Sequence, residues 1–533
     1  MAPQYKTPGV YIQEPDSFPP SIVGVETAVP CFIGYTEKAV DTDLRSLHLL
    51  PRRIASLTEY VQMFGAAYLR KYYLLSDSVG AGRLPESDRN WGWVSLDGVN
   101  PYLLAEDSRK SFNLYDSMRL FYANGGGSCY VVSVGDYSGT IEKAALLQGV
   151  EVCASFIGPT MVAIPDAVLM SDDDARDLNV AMLRMCRDAG DRMALIDLWG
   201  MDKVEGPHWE SQVASFRKGL RAAGPESMQF GAAYFPSLVT SIVAPEDIDM
   251  ASFVTVDADK LATLKLALGQ ALQVDYPAAG EQVEGTGIST LNDKGKQIYA
   301  TCVDRIGADT EELALHQLTQ ALASMVPGFQ RLRTAIAATQ NVLPPSGAMA
   351  GVWAMNDAVR GVWNAPVNTG IAGLVQPALP ISGNQQDDLN VPVDGLSINA
   401  IRTFQGRGTL IWGARTLDGN SNDWRYIQVR RTMIYVEQSV KQALQTMAFN
   451  PNTAQTWATV ASMIESFLHN LWAAGGLMGA KPSEAFSVQC GLGSTMTSDD
   501  VLNGVMRVQT MVQMVRPAEF MVLTIEQQML AGA

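Results

Sequence analysis

From Ser111 to Val239 the sequence alternates wholly apolar runs with amphipathic ones, and this alternation limits the fold more than any other feature. The runs "SCYVVSVG", "MVAIPD", "RMALIDLWG" and "FGAAYFPSLV" are apolar on both faces. Strands buried on both faces belong to parallel sheets covered by helices. Between them, "SDDDARDLNVAMLRMCRDAGD" opens on an acidic turn and carries helical periodicity, as does "SQVASFRKGLRAAGP". "SMRLFYANGG" reads as a short helix stopped by glycines. The expectation is α/β: a mainly parallel α/β domain over residues 111–243.

The rest of the chain divides around that core. The last part, 344–533, reads as an α+β domain. "INAIRTF" and "TLIWGARTL" are strands, and "WRYIQVRRTMIYVEQSVKQAL" begins extended and becomes a helix. "TWATVASMIESFLHNLWAAGG" places Trp457, Val460, Ile464, Phe467, Leu468 and Leu471 on one helical face. "AFSVQCG", "NGVMRVQTMVQMV" and "AEFMVLTIEQQ" are strands. Pro344 to Asn368, dense in Pro, Gly and Trp, reads as a structured loop or short helix whose tryptophans need burial. Two stretches look inserted: an irregular surface lobe over 36–110 and a helix-rich stretch over 244–343. Residues 1–35 form an arm followed by a buried strand pair around Pro30.

Both ends are strand-like and lack a partner. The leader holds Pro3, Pro8, Pro15, Pro19, Pro20 and Pro30, which rule out a helix there. Within it, Pro8, Gly9, Val10, Tyr11, Ile12 and Gln13 form a strand that nothing nearby can pair. The closing segment has Phe520 and Val522 on one face and Met521, Leu523 and Ile525 on the other, so it must be sandwiched.

Composition narrows the function. The chain is 47% apolar but only 18% charged, below the roughly 25% of ordinary soluble domains, which suggests surface hidden against other chains. No run of 18 apolar residues is present, so no transmembrane helix is expected. The N-terminus lacks a signal-peptide core. A net charge of −16 argues against nucleic acid. From Val391 onward ten Lys/Arg balance ten Asp/Glu, leaving 29 against 45 before it, a solvated half and a contact half. The six cysteines and four histidines are isolated, so buried thiols and no metal or cofactor are expected.

No catalytic constellation emerges. "NGGGS" follows a helix and precedes a strand, the reverse of a phosphate loop. "SDDD" fits a helix cap. No Gly-x-Ser-x-Gly elbow is present. Arg402, Arg407 and Arg415 lie at strand ends, and Arg430 and Arg431 precede Glu437. An anion site is open to them, but inter-subunit salt bridges fit arginine's bidentate geometry better. An α/β enzyme with its site at the strand C-termini, or a non-contractile shell or surface-lattice protein, are the alternative readings.

"TPGVYIQE", "FYANGGGSCYVV", "PPSGAMAGVWAMNDAVRGVWNAPVN", "INAIRTFQGRGTLIWGARTL", "WRYIQVRRTMIYVEQS" and "RPAEFMVLTI" together resemble the contractile tail sheath proteins of phages and contractile injection systems. One departure is clear: "FNPN" has Asn450 where the family often has an acid. The resemblance implies a structural, non-enzymatic subunit of stacked hexameric rings around an inner tube. It implies an inner C-terminal domain completed by the terminal strands of neighbours, and contraction by rigid-body rearrangement. Its partners would be further copies of itself, the inner tube protein, and baseplate and cap proteins. Assembly would be cytoplasmic, in a phage tail or tail-like injection particle, without membrane insertion.

Overall fold

The computed structural model describes residues 21–76, 84–85, 88–106, 110–201, 208–253, 257–278, 290–308 and 311–520. The described residues fall into two compact units, one within 28–359 and 366–427, the other of 21–27, 360–365 and 428–520.

The larger unit is built on an eight-stranded sheet. Its strands are β1 (Pro30–Gly34), β2 (Arg52–Ile54), β6 (Cys129–Ser133), β7 (Met161–Ala163), β8 (Met193–Asp197), β9 (Gly231–Phe235), β13 (Asn399–Phe404) and β14 (Gly408–Trp412). The order is β14-β13-β9-β8-β7-β1-β6-β2. The six inner strands are parallel, and β14 and β2 close the edges antiparallel. β1, β8 and β9 are buried at every residue, as their unbroken apolar runs require.

The covering helices explain themselves locally. Helix Asp172–Ala189 starts at Ser171, whose side chain accepts from the Asp174 amide, with three acids in its first turn. It stops at Gly190, at φ 66°. "NGGGS" is a helix stop: helix Leu114–Ala123 ends at Asn124, and β6 follows. Helix Lys143–Ala154, which the sequence reading leaves blank, carries Gly149 in its middle and no side-chain cap. A Cβ at Gly149 would lie 2.4 Å from Ile33 Cγ2 on β1, so glycine lets the helix sit close on the sheet.

Two expectations are corrected. The stretch 36–110 is not irregular. It supplies β2 to the main sheet, helix Leu57–Phe64, and a three-stranded antiparallel sheet of β3 (Tyr72–Leu75), β4 (Arg89–Ser95) and β5 (Pro101–Glu106). That sheet shares one core with the helices Ala258–Asp275, Glu312–Met325 and Pro327–Gln340, through Leu74 and Leu104 on one side and Leu268, Leu322 and Phe329 on the other. The two stretches read as separate insertions therefore bury their apolar faces against each other. Of the two readings open for Pro344 to Asn368, a structured loop or a short helix, Ser346–Arg360 takes the helix, 15 residues long. Its glycines mark close helix packing: a Cβ at Gly347 would lie 2.5 Å from the Ser117 carbonyl oxygen, and one at Gly351 2.4 Å from that of Phe121. Trp353 is buried and donates to Tyr234 Oη at 2.9 Å. The second correction is at Pro30, where there is one strand, not a pair; residues 21–29 form no strand, and the Val29 amide donates to Thr160 Oγ1 instead.

By contacts, residues 346–359 and 366–427 belong to the larger unit, so its sheet continues past position 344 into β13 and β14. A small sheet of β10 (Leu238–Thr240), β11 (Val342–Leu343) and β12 (Leu374–Pro377) links the ends of the intervening segment. No described helix is long and apolar enough to cross a membrane. Cys31, Cys129, Cys153, Cys186 and Cys302 are buried free thiols, and Cys490 is half-buried. The described residues hold no cluster of three or more His, Cys, Asp or Glu side chains that could bind a metal.

Candidate inter-subunit surface

The smaller unit is organised by helices Ile427–Gln445 and Ala454–Ala473 and the antiparallel pair β15 (Phe486–Gln489) and β16 (Gln509–Val512). Val460, Ile464, Phe467, Leu468 and Leu471 face its core with Val436, Leu477 and Ala485, as expected from the sequence; Trp457, placed on the same face by the sequence, is half-buried and donates to Asn452 Oδ1 at 2.6 Å. Phe486, Val488 and Val512 pack on this core, while Gln489, Gln509 and Met511 face outward. A two-stranded sheet has little stability of its own. Among the described residues no further strand joins β15–β16, so it presents unextended edges of the kind that accept an added strand.

The segment leading in from the arm is fastened to helix Ile427–Gln445. The Val25 amide donates to Ser439 Oγ at 3.1 Å, and Arg431 Nη2 donates to the Thr27 carbonyl at 2.9 Å. Gly24 lies flat on Tyr435, where a Cβ would fall 2.1 Å from the hydroxyl. Ile22 packs against the helical core. Of the strand residues named from sequence, Pro8, Gly9, Val10, Tyr11, Ile12, Gln13, Met521, Val522, Leu523 and Ile525 lie outside the described residues. Phe520 is described, exposed and outside any strand.

The charged candidates are placed in two groups. In the smaller unit, Arg430 pairs with Glu437 at 3.0 Å, two turns along the same helix. Burial raises the Glu437 carboxyl, and Arg430 opposes that rise. In the larger unit, Arg415 is buried, donates to the Gly419 carbonyl at 2.9 Å and stacks on Tyr426. Arg402 and Arg407 sit on the β13–β14 hairpin with neutral hydrogen-bond partners, Gln386 and Asn368.

Residues 420–528 match the sequence model of the phage tail sheath C-terminal domain. The tail sheath protein of Vibrio phage KVP40 is 27% identical over 138 residues, which cover 25% of this chain and 20% of that protein. The matched part thus spans about a fifth of that curated relative. Among solved structures, the fold matches the contracted helical sheath of the anti-feeding prophage at a TM-score of 0.56 and 24% identity, covering 98% of this chain and 100% of that one. A chain of the contracted anti-feeding prophage baseplate matches at 0.59 and 24%, covering 98% and 99%. The contracted sheath complex of PVC, an extracellular contractile injection system, matches at 0.54 and 23%, covering 98% of each. The resemblance to contractile tail sheath proteins is thus carried by sequence over 420–528 and by fold over nearly the whole chain. The α/β architecture expected from the sequence is the architecture of these sheath structures.

Within the matched residues 420–528, Asn450 stands at the turn between the two long helices. Its amide donates to the Met447 carbonyl at 3.2 Å, and its neutral side chain holds no ion pair. The neighbouring Phe449 is fully exposed at φ 67°.

Sequence reasoning missed two buried carboxylates at the C-terminal side of the parallel strands, where an α/β enzyme carries its chemistry. Asp166, just after β7, accepts from the Asn113 amide at 2.6 Å and the Tyr35 amide at 3.2 Å. Asp197, the last residue of β8, accepts from the Ser346 amide at 2.8 Å. Burial pushes Asp166 up to about 6 and Asp197 up to about 7, against the lowering effect of these donors. Each holds the first amides of a helix, Leu114–Ala123 and Ser346–Arg360. The available signal was an Asp closing an otherwise apolar strand, in "MVAIPD" and "RMALIDL".

Proposed function

We propose that the chain is the structural subunit of a contractile sheath: it polymerises as stacked hexameric rings around an inner tube and drives that tube by rigid-body rearrangement. The observation that carries this reading is the likeness to the anti-feeding prophage helical sheath over 98% of this chain and 100% of that one. The sheath C-terminal domain match over 420–528 supports it independently. In this reading the subunit has no enzymatic step and requires no cofactor. Its partners are other copies, an inner tube protein, a baseplate and a cap, within a phage tail or tail-like particle assembled in the producing cell's cytoplasm.

The joint between copies is strand addition. Residues 8–13 of one copy and 520–525 of another extend the β15–β16 sheet of a third. Each added strand would bring ~5 backbone hydrogen bonds at roughly 1 kcal/mol net each, enough to hold while whole units rotate. The anchored Val25–Thr27 segment fixes where the arm departs. Electron microscopy of the purified chain tests the reading: striated tubes in long and short forms are expected, and a chain that stays monomeric at high concentration refutes it. Deleting residues 1–17 should leave a folded monomer that forms no tubes.

A further inference from the structure

The β13–β14 hairpin carries two arginines stacked on aromatic rings. The Arg402 guanidinium lies 4.7 Å from the Phe404 ring centre. That of Arg407 lies 5.9 Å from Phe404 and 5.5 Å from Trp412. The two rings are 4.7 Å apart, inclined at 56°. Arg402 Nη1 donates to Gln386 Oε1 at 2.8 Å, and Gln386 Nε2 donates to the Trp412 carbonyl at 2.6 Å, which fixes the hairpin's shape. Arg407 donates to Asn368 Oδ1. Arg402 Nε is buried and meets no acceptor among the described residues.

This arrangement is unlike that of the arginines held by acids within the chain. Arg176, Arg192, Arg217 and Arg430 each hold a carboxylate within 3.0 Å. Among the described residues neither Arg402 nor Arg407 is paired with one. Two guanidinium ions sharing one ring repel each other until an anion lies between them. A carboxylate is the planar anion that guanidinium N–H groups receive best, through those N–H groups that the bonds to Gln386 and Asn368 leave over.

We propose that this hairpin is a carboxylate clamp that receives an acidic segment of a second copy of the chain. The inference rests on the sheath reading and names one contact within it. Charge complementarity selects the occupant. The chain itself supplies the acid, with 45 Asp/Glu against 29 Lys/Arg before Val391. Its net charge of −16 repels long polyanions.

The test compares wild type, the double variant Arg402→Glu/Arg407→Glu, and Arg407→Lys. Wild-type polymerisation, followed by sedimentation and microscopy, reports on the sheath reading. The double variant should melt like wild type yet need a protein concentration about tenfold or more higher to polymerise. In an assembled mixture of isotopically light and heavy Arg407→Lys chains, a zero-length carbodiimide should join the amine introduced at position 407 to an Asp or Glu peptide of the other isotope. That crosslink decides the matter even if the double variant misfolds. A double variant that polymerises at the wild-type concentration, or an assembled Arg407→Lys sample without mixed-isotope crosslinks at 407, overturns the clamp and leaves the sheath reading standing. A wild-type chain that never polymerises overturns both.

Discussion

Replacing Asp197 by Asn should stabilise the larger unit at neutral pH and remove part of its pH dependence. The carboxyl titrates near 7 in the fold because burial disfavours its charge, and near 4 in the open chain. Between those values the folded chain holds a proton that the unfolded chain releases, so stability falls as pH rises through the window. The destabilisation is absent below about pH 4 and complete above about pH 7. Its slope is about 1.4 kcal/mol per pH unit, giving up to about 4 kcal/mol across the window. An asparagine Oδ1 can still accept from the Ser346 amide, now 2.8 Å from the carboxylate oxygen. Its new amide donor is buried and costs about 1–3 kcal/mol if it finds no acceptor. That offset is independent of pH, so the decisive quantity is the change in the wild-type-to-variant difference with pH. Urea denaturation of the full chain, followed by tryptophan fluorescence, would measure it; Trp199 and Trp353 are buried in the same unit. The variant should gain on wild type by several kcal/mol between pH 4.5 and pH 8. Parallel curves across that range would show that the carboxylate is ionised in the fold and that this reasoning is wrong.

Other perturbations test the packing and the proposed assembly. Asp166→Asn should act in the same direction as Asp197→Asn but over a lower window, ending near pH 6, and titration of urea midpoints checks it. Gly351→Ala places a Cβ 2.4 Å from the Phe121 carbonyl oxygen and should cost about 1–3 kcal/mol, read as a lower Tm. Leu468→Ala opens a cavity in the fully buried core of the smaller unit and should cost about 2–5 kcal/mol in the same assay. Inserting two or three residues between Pro15 and Ser21 lengthens a tether by up to ~3.5 Å per residue and should permit tubes but prevent their shortening; micrographs showing full shortening refute the tether.

The sequence made elements legible where local chemistry and burial agree. The β8 run "MALID" is buried at every residue, and the acidic turn opening helix Asp172–Ala189 is capped by Ser171 as its type predicts. It failed where a residue answers to a distant neighbour. Gly149, Gly347 and Gly351 look like loop residues by propensity, yet each sits inside a helix because another element lies within contact distance of its missing Cβ. The same blindness split one lobe into two insertions, since periodicity shows that a face is apolar but not which face covers it. For the candidate surface the position is different. Arg415 and Arg430 looked equivalent to Arg402 and Arg407 as arginines near strand or helix ends. Only the fold separates the first two, held by the Gly419 carbonyl and by Glu437, from the second two, held by neutral side chains and stacked on half-buried rings. Residue type therefore marked a set from which an interface could draw, and what each cation already touches within its own chain decides which members remain able to receive a carboxylate from another.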